Sequence, residues 1–347
     1  MTIDEIAAAF QRLYGGQPRI YRAPGRVNLI GEHTDYNEGF VMPAAINFST
    51  WVAATKRDDS IVKIHSDIFE EEAEIDLANP AAHGRKHWSD YPVGVAINLK
   101  EADHNICGAN LFVHGEVPLG SGLSSSASIE VSTGLALLDI SGVKIDRLGL
   151  AKICQKAENE FVGARTGLMD QFIACFGKAD HAVMLDCRSL ESRALPVPDE
   201  VKLVVCDTMV KHELASSEYN ARRAQCEEGV RILSQHLPNV TSLRDVTPDD
   251  VARFRAELGE VIFKRCLHVT TENERVLRAA DALRDRDLQT FGKLMYESHV
   301  SLRDDYEVSC RELDVMVDLA KPIKGVFGAR MTGGGFGGCT INLVAVE

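Results

Sequence analysis

The stretch Pro118-Leu119-Gly120-Ser121-Gly122-Leu123-Ser124-Ser125-Ser126-Ala127-Ser128 leads without a break into Ile129, Val131, Leu135 and Leu138, an apolar stripe at helical spacing. Gly120 and Gly122 let the backbone turn sharply and approach a ligand, and five serines in eight residues supply hydroxyls around it. The helix that follows points its unpaired N–H groups and the positive end of its dipole back at the loop, which makes an anion site. A Walker A loop is excluded by the missing Gly-Lys-Ser/Thr ending, and a dinucleotide fingerprint by the failed G-x-G-x-x-G spacing. A serine-rich linker is the competing reading, but linkers do not run directly into an amphipathic helix.

Upstream, Gly25-Arg26-Val27-Asn28-Leu29-Ile30-Gly31-Glu32-His33-Thr34-Asp35-Tyr36-Asn37 closes an apolar segment with a glycine and then sets three ionisable side chains in four positions. A solvated turn after a strand would explain the tetrapeptide taken alone. A rim for a polyhydroxylated ligand explains it better, because carboxylates accept bonds from adjacent hydroxyls and an imidazole can donate or accept. A further cluster, Met331-Thr332-Gly333-Gly334-Gly335-Phe336-Gly337-Gly338-Cys339, precedes the last strand-like run. So many glycines require backbone to pass close to another loop or to a ligand.

Gly167-Leu168-Met169-Asp170-Gln171-Phe172 places one carboxylate in an apolar run that continues through Ile173, Ala174 and Cys175. A buried aspartate there must be paired, hydrogen-bonded or functional, unless it caps a helix. Before it, Asp146 reads as an N-cap, Leu150, Ile153, Cys154, Ala157 and Phe161 recur at helical spacing, and Gly163 reads as a stop. Glu158 and Glu160 lie at similar angles on opposite sides of that stripe, so periodicity leaves open which one faces a site.

Length and composition bound the remaining possibilities. A chain of 347 residues is expected to form about two domains. The net charge of −13 argues against a general nucleic-acid or anionic-membrane partner, and it disfavours self-association by charge, so a monomer is expected. There is no run of 18 apolar residues, and the N-terminus lacks a basic region followed by an apolar core, so a cytoplasmic protein is expected. Nine cysteines without CxxC pairs, several in apolar segments (Cys154, Cys175, Cys206), suit buried thiols in a reducing compartment rather than a zinc site. Strand-like runs at 182–185, 201–206 and 340–346 alternate with helical patterns, one from near Glu218 to about Leu237 before Pro238. Pro196 and Pro198 interrupt the pattern, which divides the chain into 1–190 and 191–347.

Together these motifs resemble the galactokinase family of the GHMP kinase superfamily. The likeness covers residues 20–45, 88–95, 118–130, 154–172, 212–227, 268–276, 298–314 and 328–343 in the family's order. It implies an α/β (α+β) two-domain GHMP kinase fold with mixed sheets and the active site between the domains. By the same resemblance Glu32, His33, Thr34 and Asp35 match the sugar-binding tetrapeptide, and Tyr219 matches a further sugar contact. Gly120, Ser121, Gly122, Leu123, Ser124, Ser125 and Ser126 match the triphosphate loop, while Ser66 matches an ATP contact. Ser126 and Glu158 match the two Mg²⁺ ligands, which favours Glu158 over Glu160. Asp170 matches the catalytic aspartate, as a base or as an orienting group, and Arg26 the cation beside it. The implied reaction moves the γ-phosphoryl of ATP to the anomeric hydroxyl of α-D-galactose. A kinase for a related sugar such as N-acetylgalactosamine, or a non-catalytic galactose and ATP sensor, are the alternatives. The family's pattern continues past the equivalent of Val346 into a further helix and strand, so either a shortened second domain or a truncated sequence is expected, with an exposed sheet edge.

Overall fold

The serine-rich loop does open a helix, Ser125–Ile140, but that helix is not amphipathic. Ala127, Ser128, Glu130, Val131, Ser132, Thr133, Gly134, Ala136, Leu137 and Leu138 are all buried, so it runs through an interior rather than along a surface. Its small residues allow this, because neighbouring helices approach it on more than one side. The computed structural model describes residues 1–80, 83–210 and 215–346; His212, in the stretch matched at 212–227, lies outside them.

The chain forms two compact units: Met1–Gly25 with Ile46–Pro118 and Ser124–Phe176, and Arg26–Ala45 with Leu119–Leu123 and Gly177–Glu347. The first contains a five-stranded sheet in the order Arg19–Asn28, Pro43–Lys56, Ala109–Gly115, Ile61–Ser66, Glu71–Asp76. The sheet is mixed, since Ile61–Ser66 runs parallel to Ala109–Gly115 while its other neighbour is antiparallel. Val52, Ile64 and Leu111 from the strands join Val95, Leu99 and Leu137 from the helices in one core. Burial of such side chains at roughly 25 cal/mol per Å² is the main driving term.

Asp146 is the N-cap of Arg147–Lys156, its carboxylate accepting from the Gly149 N–H at 2.6 Å. The expected single helix to Gly163 does not continue as one: Ala157–Val162 is a π-helical turn, closed by Gly163 at φ 90°. A π turn adds a residue to the backbone ring and so re-aims the side chains it carries, a device frequent at functional sites. The next helix, Met169–Phe176, buries Gln171, Phe172 and Ile173, whereas Asp170 is only half-buried. The carboxylate expected inside the apolar run is therefore at its border, and the glutamine beside it is the buried polar group.

The second unit has two antiparallel three-stranded sheets. One orders Val326–Thr332, Cys339–Ala345 and Val201–Asp207, and the other Phe40–Val41, His181–Asp186 and Ser192–Pro196. Helices Ala215–Leu233, Arg255–Arg284 and Leu288–Asp304 pack around Cys226, Leu233, Phe263, Val269, Leu302 and Tyr306. The long helix breaks its path at Gly259, whose φ of 69° lies in the left-handed region. The strand-like runs fall where periodicity put them, while the helix expected to reach about Leu237 ends at Leu233. Cys154 is buried, but Cys175 and Cys206 are only half-buried. No helix among the described residues is long and apolar enough to cross a membrane.

Candidate active site

In the second unit the segment from Gly31 to Asn37 is held in one shape by hydrogen bonds from every side. The Thr34 hydroxyl, fully buried, shares its one proton between the Gly31 and Phe40 carbonyls at 2.9 and 2.7 Å. Its chemistry is thus spent on closing the loop. Glu272, on the long helix, accepts the Gly31 N–H at 2.9 Å. His33 is fixed at φ 62°, a left-handed backbone that a non-glycine residue adopts only when its surroundings demand it.

The Gly334 carbonyl can only accept, so His33 Nε2 carries the proton of their 3.1 Å bond. His33 Nδ1 then accepts from the Tyr36 hydroxyl at 2.8 Å, which accepts from Tyr306 at 2.7 Å, which in turn accepts from the Cys226 thiol at 3.1 Å. Burial, and behind it the positive surroundings, holds the His33 imidazole down at about 3, so it is neutral. Tyr219 packs its ring 5.2 Å from that of His33 and 5.5 Å from that of Tyr36. Asp35 opens the short turn Asp35–Asn37 and is half-buried.

Glu32 is buried and accepts the Gly333 N–H at 2.7 Å, with the guanidinium of Arg330 at 3.6 Å. Burial raises its pKa, and Arg330 and Arg26 oppose the rise. Arg330 is itself fully buried and donates to the Asn28 carbonyl at 2.8 Å. Arg26 is buried, and its side chain donates to the Gly122 carbonyl at 2.6 Å while its N–H meets Leu123 O at 3.0 Å. The glycine cluster has the close neighbours its composition required. A Cβ on Gly333 would lie 2.6 Å from Gly122 O, and one on Gly338 2.6 Å from Ser121 O. The cluster therefore packs on the front of the serine loop and, through Gly333 and Gly334, grips Glu32 and His33.

In the first unit the chemistry is carboxylate and hydroxyl. Ser124, at φ 63°, makes no side-chain cap on Ser125–Ile140; its hydroxyl donates to Asp170 Oδ2 at 2.7 Å. The first-turn amides of that helix therefore receive no cap from the Ser124 side chain. Glu158, on the π turn, is buried, whereas Glu160 is exposed and pairs with Lys156 at 3.6 Å. Structure thus separates the two glutamates that periodicity could not. Glu158 accepts from Ser126, from Thr166 at 3.0 Å and from Gln171 at 2.6 Å. Burial, then the neighbouring charge of Asp170, raises its pKa. Glu130, fully buried, is raised further, by burial and then by Glu158.

The structure brings Ser124 to Asp170 and Ser126 to Glu158, and groups Arg26, Glu32, His33 and Tyr219 with Gly122 and Leu123 in the other unit. Ser66 ends a strand, buried between Val113 and Glu71, and no hydrogen bond among the described residues ties it to the serine loop. Sequence reasoning passed over Glu130, Gln171, Glu272, Tyr306 and Arg330. Two of these carried a signal: Glu130 is a carboxylate between Ile129 and Val131, and Gln171 interrupts the apolar run after Asp170.

Residues 8–56 match the galactokinase galactose-binding signature, residues 90–178 the GHMP kinases N-terminal domain and residues 279–345 the GHMP kinases C-terminal domain. The chain is 49% identical over 346 residues to a galactokinase of Chloroflexus aurantiacus, a match spanning 99% of this chain and 89% of that protein. A galactokinase of Chloroflexus aggregans is 50% identical over the same shares. The Lactococcus lactis galactokinase solved with galactose superposes with a TM-score of 0.96 at 38% identity, covering 99% of this chain and 90% of that one. The Methanococcus jannaschii mevalonate kinase shares the fold, with a TM-score of 0.64 at 19% identity over 95% of this chain and 91% of its own. The chain belongs to the galactokinase family of GHMP kinases and is an ATP-dependent sugar kinase.

Proposed function

We propose that this chain transfers the γ-phosphoryl of ATP to the anomeric hydroxyl of α-D-galactose, giving galactose 1-phosphate and ADP. The observation that carries the sugar half is the locked segment of Glu32, His33, Thr34 and Asp35, with Gly333 and Gly334 fixing its side chains. In this reading Glu32, His33, Asp35 and Tyr219 hydrogen-bond the sugar hydroxyls, and Thr34 shapes the loop. A site built for an axial hydroxyl leaves buried polar groups unpaired when glucose enters, and such losses discriminate by orders of magnitude.

The residues from Gly120 to Ser126 take the ATP phosphates, supported by the uncapped helix start behind them. Ser66 is assigned to ATP as well. Phosphoryl transfer has a loose transition state, so the protein's work is positioning and charge stabilisation. Asp170, held by the Ser124 hydroxyl, faces the O1 proton as its acceptor or its orienting partner, and Arg26 offsets charge on the moving group.

Magnesium fits the residues present. Among the described residues there is no group of three His, Cys, Asp or Glu side chains suited to a metal. Mg²⁺ asks for less, one or two protein oxygens beside the phosphates. Glu158 and Ser126 supply hard oxygens in contact with each other. Bound there, Mg²⁺ would neutralise charge on the phosphates.

A monomeric cytoplasmic protein without nucleic-acid or membrane partners completes this reading, supported by the charge of −13 and nine unpaired thiols. A domain division near residues 185–200 belongs to it too, with a compact unit beginning nearby at Gly177, although residues 26–45 and 119–123 group with that unit.

The test is ADP release by the 347-residue chain with Mg-ATP and galactose, N-acetylgalactosamine or glucose. Turnover on galactose with little on glucose is expected. Equal turnover on glucose would refute the pocket, preference for N-acetylgalactosamine would reassign the substrate, and galactose binding without turnover would make the protein a sensor.

A further inference from the structure

Gln171 is fully buried on the helix that also carries Asp170, and its amide nitrogen meets two carboxylates. Nε2 lies 2.6 Å from Glu158 Oε2 and 3.0 Å from Glu130 Oε2. A primary amide has two hydrogens on nitrogen, one for each acid. Thr166 donates to that same oxygen of Glu158 at 3.0 Å. Two donors on Oε2 fix the rotation of the Glu158 carboxylate and turn its other oxygen away from them.

The donor's chemistry is the informative part. An arginine or lysine between two buried acids would cancel their charge and is the usual solution. A glutamine orients Glu158 without neutralising it, so the negative charge stays available to a cation. Glu130 stands one helical turn beyond Ser126 on the same helix, so the element that offers the Ser126 hydroxyl also anchors the amide that aims Glu158.

We propose that Gln171, anchored by Glu130, is the positioning residue for the carboxylate of Glu158 at the metal. The inference rests on the reading of Glu158 as a Mg²⁺ ligand. Groups that orient metal ligands typically change metal affinity or activity by about 10–100-fold when removed.

The experiment titrates Mn²⁺ into the full chain with galactose and a non-hydrolysable ATP analogue, following the electron paramagnetic resonance of bound Mn²⁺. Each variant's thermal melt and its galactose affinity without nucleotide are recorded alongside. Glu158→Gln is the reference and should lose Mn²⁺ affinity. Gln171→Leu should weaken Mn²⁺ binding about 10-fold or more and alter its spectrum, with galactose affinity retained. Glu130→Gln, which keeps a carbonyl oxygen for the amide, should retain more Mn²⁺ affinity than Glu130→Leu; this pair decides the matter should Gln171→Leu fail to fold. Loss of Mn²⁺ affinity in Glu158→Gln but not in Gln171→Leu, or no difference between the two Glu130 variants, would overturn the inference. If Glu158→Gln itself keeps its Mn²⁺ affinity, the metal-ligand reading fails first and takes the inference with it.

Discussion

Replacement of Glu272 by glutamine removes the carboxylate that pins the start of the sugar loop to the long helix. Glu272 is fully buried and accepts from Arg275 Nε at 2.6 Å, Ser298 at 2.6 Å and the Gly31 N–H at 2.9 Å. Burial disfavours its charge, yet Arg275, His268 and Arg330 outweigh burial and bring the carboxyl from 4.5 to about 2. His268 is itself held down at about 4 by burial, so at neutral pH the arginines act alone. The fall to about 2 corresponds to roughly 3 kcal/mol of stability at pH 7. Because the folded pKa is the lower one, that contribution is complete above 4.5 and is lost as pH falls toward 2. Denaturant unfolding at pH 7 should therefore show Glu272→Gln less stable by about 3 kcal/mol, with melting lower by roughly 4 °C. At pH 3.5 the difference should shrink to about 2 kcal/mol. Galactose affinity should fall as well, since Gly31 precedes Glu32. A loss below about 1 kcal/mol at pH 7, or a difference that widens with acid, would refute the reasoning.

Three further outcomes follow from the same loop. Thr34→Val keeps the side-chain shape but removes the proton that the Gly31 and Phe40 carbonyls share, so chemical unfolding should show a loss of about 2 kcal/mol together with weaker galactose binding by calorimetry. Gly333→Ala meets Gly122 O at 2.6 Å and a φ of 87°, so ATP and galactose affinities should both drop, whereas Gly142→Ala, at φ 69° with nothing within 4 Å, should spare both. His33 stays neutral above about 3, so its ring resonances should not move between pH 5 and 8 in NMR, and a titration near the ordinary imidazole value would contradict the hydrogen-bond chain from Cys226.

Much of the candidate site was legible because it is written in short contiguous runs. The loop at residues 120–126 and the tetrapeptide at 32–35 concentrate unusual residue types at fixed spacing, and local backbone chemistry suffices to read them. Asp146 was legible as a cap for the same reason. The helix after Ser124 was misread as amphipathic, because Ser128, Ser132, Thr133 and Gly134 look solvent-facing in a pattern of apolar residues but are all buried. Burial of small polar residues depends on what packs against them, which spacing does not encode. Asp170 was misjudged for a related reason: the helix it sits on turns Gln171 inward instead.

By itself, the sequence determined which groups the chain can offer: a run of hydroxyls and backbone amides ahead of a helix, and two carboxylates and an imidazole within one tetrapeptide. These follow from residue identity and from contacts within a few positions. Tertiary structure alone decided which groups work together. It buried Glu158 on a π turn and left Glu160 in solvent, and it set Gln171 between two acids 41 and 13 residues away. It also bonded Gly333 to Glu32 across 301 residues and Glu272 to Gly31 across 241. Hydrogen bonds of that separation are chosen by how elements pack in space, and no local pattern along the chain carries them.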